Sequence, residues 1–147
     1  MELHVLGAAI ALGLCAIGVS LGHAVVSKKS VEALGKNPEL SGSLMVFTVL
    51  GIALVESAAI YGLIIAFKII DLGSAISVAS ALSAGLVMGI AGLPVSLGEG
   101  WVVAAAIDAL QRNPEAKNKI MTFMVLFVAL VESSAIYALI VAFKILG

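Results

Sequence analysis

Two carboxylates stand in otherwise apolar surroundings. Glu56 lies within Ala53-Leu54-Val55-Glu56-Ser57-Ala58-Ala59-Ile60-Tyr61 and Glu132 within Ala129-Leu130-Val131-Glu132-Ser133-Ser134-Ala135-Ile136-Tyr137, so a shift of 76 residues superposes them with one difference in nine. A Glu, a Ser one residue on and a Tyr four residues beyond that Ser put three oxygen-bearing groups on one side of a helix. Oxygen ligands suit a hard cation. A charge at the centre of a bilayer costs about 2.5 to 3.5 kcal/mol even on an insertion scale. Two acids kept at equivalent positions therefore point to ion handling; the structural alternative is a protonated Glu bonded to a neighbouring helix.

The elements that hold these acids must be membrane helices. Of 147 residues 62% are apolar and 12% charged, with a mean hydropathy of +1.21, against about 45 to 50% and 25% in soluble domains. That excludes a soluble globular domain. Eight Lys and Arg balance nine Asp and Glu, which argues against nucleic acid as a partner and leaves membrane lipid as the surroundings. Cys15 is the only cysteine, so neither a disulfide nor a Cys-based metal site is available and a packing role is expected. The opening Met1-Glu2-Leu3-His4 lacks a basic secretory flank and the run behind it is too long for a signal core, so it reads as a permanent membrane helix.

About 20 apolar residues span a bilayer. Stretches 3–27 and 72–98 contain no charged residue, and 44–70 and 120–146 carry one acid near each middle and one Lys near each end. Four transmembrane helices follow. The polar stretches 28–43 and 106–119 hold six of the eight basic residues, which predicts that these loops are cytoplasmic and both termini face the outer side. Lys68 and Lys144 can lift their ammonium groups to the opposite interface.

The 76-residue shift also carries Lys36-Asn37-Pro38-Glu39 onto Arg112-Asn113-Pro114-Glu115 and Phe67-Lys68-Ile69 onto Phe143-Lys144-Ile145. The chain reads as an all-α membrane protein of two tandem hairpins, 1–71 and 72–147, forming one domain. Two spans per unit make the repeats parallel, with their acids at one depth. The first helix of each unit is rich in small residues, with Gly18 and Gly22, and Gly85 and Gly89, forming small-xxx-small pairs that let helices approach closely. Pro94 frees the Ile90 carbonyl and predicts a kink, and Trp101 suits an interfacial anchor.

These residues resemble the ring-forming c subunit, or proteolipid, of rotary F-type and V-type ATP synthases and ATPases, in a duplicated form. The family combines a Gly-rich first helix, a polar loop with Arg-Gln-Pro, and an acid 18 residues beyond the loop Pro; Pro38 to Glu56 and Pro114 to Glu132 are both 18 apart. The Glu-Ser-x-x-x-Tyr pattern is similar to sodium-binding members. By that resemblance Glu56, Ser57 and the Leu54 carbonyl, and Glu132, Ser133 and the Leu130 carbonyl, would face the ion, with Tyr61 and Tyr137 as locks on the acids. The family's Gln ligand falls 15 residues before the loop Pro, at His23 and Glu99. Glu99 beside Glu132 would hold a proton, a cation or both, its alternative being an interfacial acid. His23 could donate to Glu56, ligate through a ring nitrogen, or when protonated form an ion pair that excludes a metal cation; a satisfied interhelical His is the plainer alternative.

The resemblance implies a ring of copies of this chain, without catalysis of its own and without a cofactor, that carries Na+ or H+ on Glu56 and Glu132 as it turns. It implies a stator a-type subunit supplying an Arg, and central-stalk subunits contacting Lys36, Asn37 and Pro38 and Arg112, Asn113 and Pro114, for which a plain Pro-containing turn is the alternative. Two acids per chain resemble an ATP-synthase-like ion count. The competing reading is a small four-helix proton-coupled transporter of cationic substrates, for which an aromatic content of 5% offers little cavity lining.

Overall fold

The computed structural model describes residues 3–147; Met1 and Glu2, part of the opening read as lacking a secretory flank, lie outside the described residues. Five helices follow in order: α1 Val5–Lys36, α2 Ser41–Val55, α3 Ser57–Leu72, α4 Val78–Arg112 and α5 Lys117–Leu146. α2 and α3 are two parts of one span that meet at Glu56, and the corresponding span α5 runs through Glu132 unbroken. The result is four helices long and apolar enough to cross a membrane, arranged as two hairpins.

The polar stretches read as loops are mostly helix. α1 continues to Lys36 and α4 to Arg112, so the connections shrink to the one-turn 3-10 segments Pro38–Leu40 and Pro114–Ala116 behind Asn37 and Asn113. A 32-residue α1 is roughly 48 Å long at 1.5 Å per residue, more than a hydrocarbon core needs. Its last turns stand in water on polar side chains, where Glu32 lies 3.9 Å from Lys28 and 3.8 Å from Lys29. What stops both helices is the proline, which disfavours the α region for the residue before it. Asn37 and Asn113 accordingly adopt φ/ψ of −143/82° and −144/81°.

α1 and α4 form an inner layer and lie against each other over most of their length, with α2–α3 and α5 outside them. Water does not drive helices together in lipid, so close van der Waals approach must do so, and the small residues make it available. A Cβ on Gly100 would sit 2.8 Å from the Gly22 Cα, and one on Gly89 would sit 2.7 Å from the Ile10 carbonyl oxygen. Two apolar clusters fill the interior, one around Cys15, Ile65, Ile69 and Met88, the other around Val26, Phe47, Val103 and Ile107. Between them along α4 lies Glu99. α4 passes through Pro94 as one continuous helix, with Ile90 exposed.

The hairpins are joined by Gly73–Ser77. Gly73 has φ 50° and ψ −125°, a conformation open to glycine and strained for side-chain-bearing residues. Ser77 caps α4, its hydroxyl oxygen accepting the Ser80 N–H at 3.0 Å. Lys29 of α1 reaches Asp108 of α4 at 3.0 Å, tying the hairpins together at the turn end.

Candidate ion-binding site

Glu132 and Glu99 are held where the hairpins meet. The Tyr61 hydroxyl on α3 donates to Glu132 Oε1 on α5, so the bond crosses from the first hairpin to the second. Ser57 precedes Tyr61 by one helical turn and shares its face; its hydroxyl oxygen is buried and has no hydrogen-bond partner. Glu99 on α4 is 0% exposed, and both of its carboxylate oxygens also lack a hydrogen-bond partner among the described residues. It is near enough to Glu132 and Tyr61 to interact with both electrostatically. Buried polar groups in proteins are normally bonded. The open Glu99 carboxylate close to that of Glu132, with the open Ser57 hydroxyl one turn from Tyr61 on the same helix face, offers oxygens suited to a small cation, a proton or both.

Glu56 is placed differently. Its side chain is 48% exposed and lies 3.4 Å from His23 Nε2. The same nitrogen is 3.1 Å from the Ile52 carbonyl oxygen. A carbonyl only accepts, so this hydrogen bond assigns the hydrogen to Nε2. Ile52 is also the residue whose carbonyl receives the Glu56 N–H, at 3.1 Å. Glu56 keeps helical φ/ψ of −66/−24°, and its carbonyl accepts both the Ala59 N–H at 3.0 Å and the Ile60 N–H at 3.4 Å, so the span is continuous with a local tightening of one turn there.

The Glu-Ser-x-x-x-Tyr groups thus do not gather on one helix side as read from the spacing. Consecutive helical residues point about 100° apart, so Ser57 with Tyr61 turns to the second hairpin and Glu56 turns to His23 in its own. In the second hairpin, Ser133 donates to the Leu130 carbonyl at 2.7 Å within its own turn, and Tyr137 is 65% exposed with no bond to Glu132. Leu54 lies two residues ahead of Glu56 and packs on the cluster around Val103. The spacing does not mark Ile52 or the Lys29–Asp108 pair, and the repeat does not either, since their counterparts are Val128, Ala105 and Glu32. Lys36, Pro38, Arg112 and Pro114 are exposed at the turn tips, with Asn37 and Asn113 beside them.

The family of ATP synthase c subunits matches residues 6–69 and again 82–145. The chain belongs to that family. The ATP synthase c subunit of Clostridium beijerinckii is 49% identical over 69 residues, which cover 47% of this chain and 96% of that protein. That of Bacillus thuringiensis is 39% identical over 71 residues, 48% of this chain and 99% of that protein. Each relative has the length of one hairpin, which agrees with the double match and makes this member a duplicated one. Together with its four candidate spans, membership makes it an integral, multi-pass component of a membrane rotor.

Proposed function

We propose that the rotor ring built from this chain carries Na+ or H+ across the membrane on Glu56 and Glu132, coupled to ATP synthesis or hydrolysis elsewhere in the complex. The observation that supports it is the open oxygen set of Glu99 and Ser57 beside the Tyr61–Glu132 bond. A bare carboxylate cannot readily face lipid, so each acid must be neutralised by its ion before it turns away from the polar surface of a stator. Ion loading thereby gates rotation. A stator Arg would favour the bare carboxylate and release the ion. Each charge moved through 100 mV contributes about 2.3 kcal/mol. In this reading the turns bearing Lys36-Asn37-Pro38 and Arg112-Asn113-Pro114 face the cytoplasm and the central stalk, and both termini face outward.

The test is reaction of the purified ring with a hydrophobic carbodiimide, which attacks protonated carboxyls, followed by peptide mass analysis and ATP-driven ion uptake in vesicles. Labelling of Glu56 and Glu132 with loss of uptake is expected. Failure of both acids to label at any pH, or undiminished uptake after Glu56→Gln and Glu132→Gln together, overturns the reading.

A further inference from the structure

The two acids of the chain have unlike surroundings, and the repeat tells what completes each. The side of the first hairpin that meets the second carries Phe47, Ser57 and Tyr61, with Phe47 and the Ser57 hydroxyl buried there. The counterparts on the second hairpin, 76 residues on, are Phe123, Ser133 and Tyr137. Phe123 is 57% and Tyr137 65% exposed. The receiving side behaves likewise: buried Ile107 corresponds to Val31, which is 71% exposed. Each chain therefore ends in one half of the contact it already contains, and a second copy of this chain placed by the same step covers both halves. Head-to-tail contacts of this kind close into rings. The step brings Ser133 and Tyr137 of one copy to Glu56 and His23 of the next.

The positions that flank the acids differ in chemistry. Beside Glu132 stands Glu99, with two open oxygens. Beside Glu56 stands His23, whose Nε2 faces the acid at 3.4 Å while donating its hydrogen to Ile52. A metal cation needs lone pairs; the His23 nitrogen nearest Glu56 carries the hydrogen it gives to Ile52 and so offers none, where the other site offers a carboxylate. The backbones differ slightly too, with a locally tightened turn after Glu56, whose carbonyl accepts the Ala59 N–H at 3.0 Å.

We propose that the ring alternates two unlike ion sites: one inside each chain, lined by Glu132, Glu99, Ser57 and Tyr61, which takes an alkali-metal cation, and one at each seam between chains, where His23 beside Glu56 excludes metal ions. The proposal rests on the rotor reading above. His23 is a specificity-determining residue, and the chain holds one metal cation where its two acids suggest two. The seam carboxyl is left to a proton.

The test uses the intact ring in detergent with Na+ alone as probe. Bound Na+ is counted per chain, and the effect of Na+ on carbodiimide labelling is read separately at Glu56 and Glu132. One Na+ per chain is expected, with labelling slowed roughly tenfold at Glu132 and unchanged at Glu56. His23→Gln, which supplies an oxygen, should confer Na+ protection on Glu56. Two Na+ per chain, protection of Glu56 in the unaltered ring, or absence of protection at Glu132 overturns the alternation. Each of these outcomes leaves the rotor reading standing, whereas that reading fails only when neither acid labels or transport persists without them. Because the count is made on the unaltered protein, it decides the matter even where the histidine variant fails to assemble.

Discussion

Gly13 separates packing within a chain from packing between chains. In this chain a Cβ on Gly13 meets nothing within 4 Å. Its repeat counterpart Gly89 faces the first hairpin, and a Cβ there would lie 2.7 Å from the Ile10 carbonyl oxygen, inside the 3.4 Å at which ordinary contact begins. Stepping that contact on by one hairpin brings Gly13 of the next copy against Leu86 and Ile90, which are 43% and 62% exposed in the single chain. The clash is with backbone, which cannot swing aside as a long side chain can, and overpacking of this kind costs typically about 1 to 3 kcal/mol. At tenfold per 1.4 kcal/mol, Gly13→Ala should weaken each seam roughly 5- to 150-fold and leave the helix content of the chain unchanged. The assay is ring mass in detergent against temperature, with circular dichroism on the same samples. Gly42→Ala is the control, since nothing lies near Gly42 and its counterpart Asn118 already carries a side chain. A Gly13→Ala ring that dissociates at the same temperature as the unaltered ring would refute the seam geometry.

The crossed pairing of the sites predicts that Ser57→Ala alters the carbodiimide reactivity of Glu132 and leaves Glu56 unchanged, whereas Ser133→Ala alters Glu56; a lost oxygen ligand of about 1 to 1.5 kcal/mol corresponds to roughly a tenfold change. Finding each Ser coupled to the Glu beside it in sequence would reverse that assignment. Lys29→Ala should lower stability by at most about 1 kcal/mol, because Lys29 and Asp108 are about a third exposed and such pairs are weak. The loss should shrink as salt rises, and thermal melts at two ionic strengths decide it. Gly73→Ala, at φ 50° with open space around it, should cost about 1 to 3 kcal/mol through backbone strain alone; an unchanged melting temperature would contradict the strain.

The four spans were legible because lipid leaves the chain almost no alternative to long apolar helices. Helix ends were less so. Residues 28–36 look like a loop by polarity, yet the same polarity lets α1 run on into water until Pro38 stops it. Glu56, Ser57 and Tyr61 and their counterparts could be picked out by repetition, but their partners could not. Neighbours in sequence on a helix are not neighbours in space across it, and a reading along one helix gives Tyr61 to Glu56 where the fold bonds it to Glu132 of the other hairpin. The hydrogen bond that ties His23 to the Ile52 carbonyl, 29 residues away in sequence, had no local mark in the sequence at all.

Under the rotor reading proposed above, the Gly73–Ser77 link also bears on gearing. Because it fuses hairpins in pairs, a ring of this chain would gain or lose them only two at a time. In a ring built from this chain alone, the proposed carriage on Glu56 and Glu132 would pass an even number of carboxylates per revolution, and one more or one fewer chain would shift the ratio of ions to ATP in steps twice as coarse as a ring of single hairpins would allow.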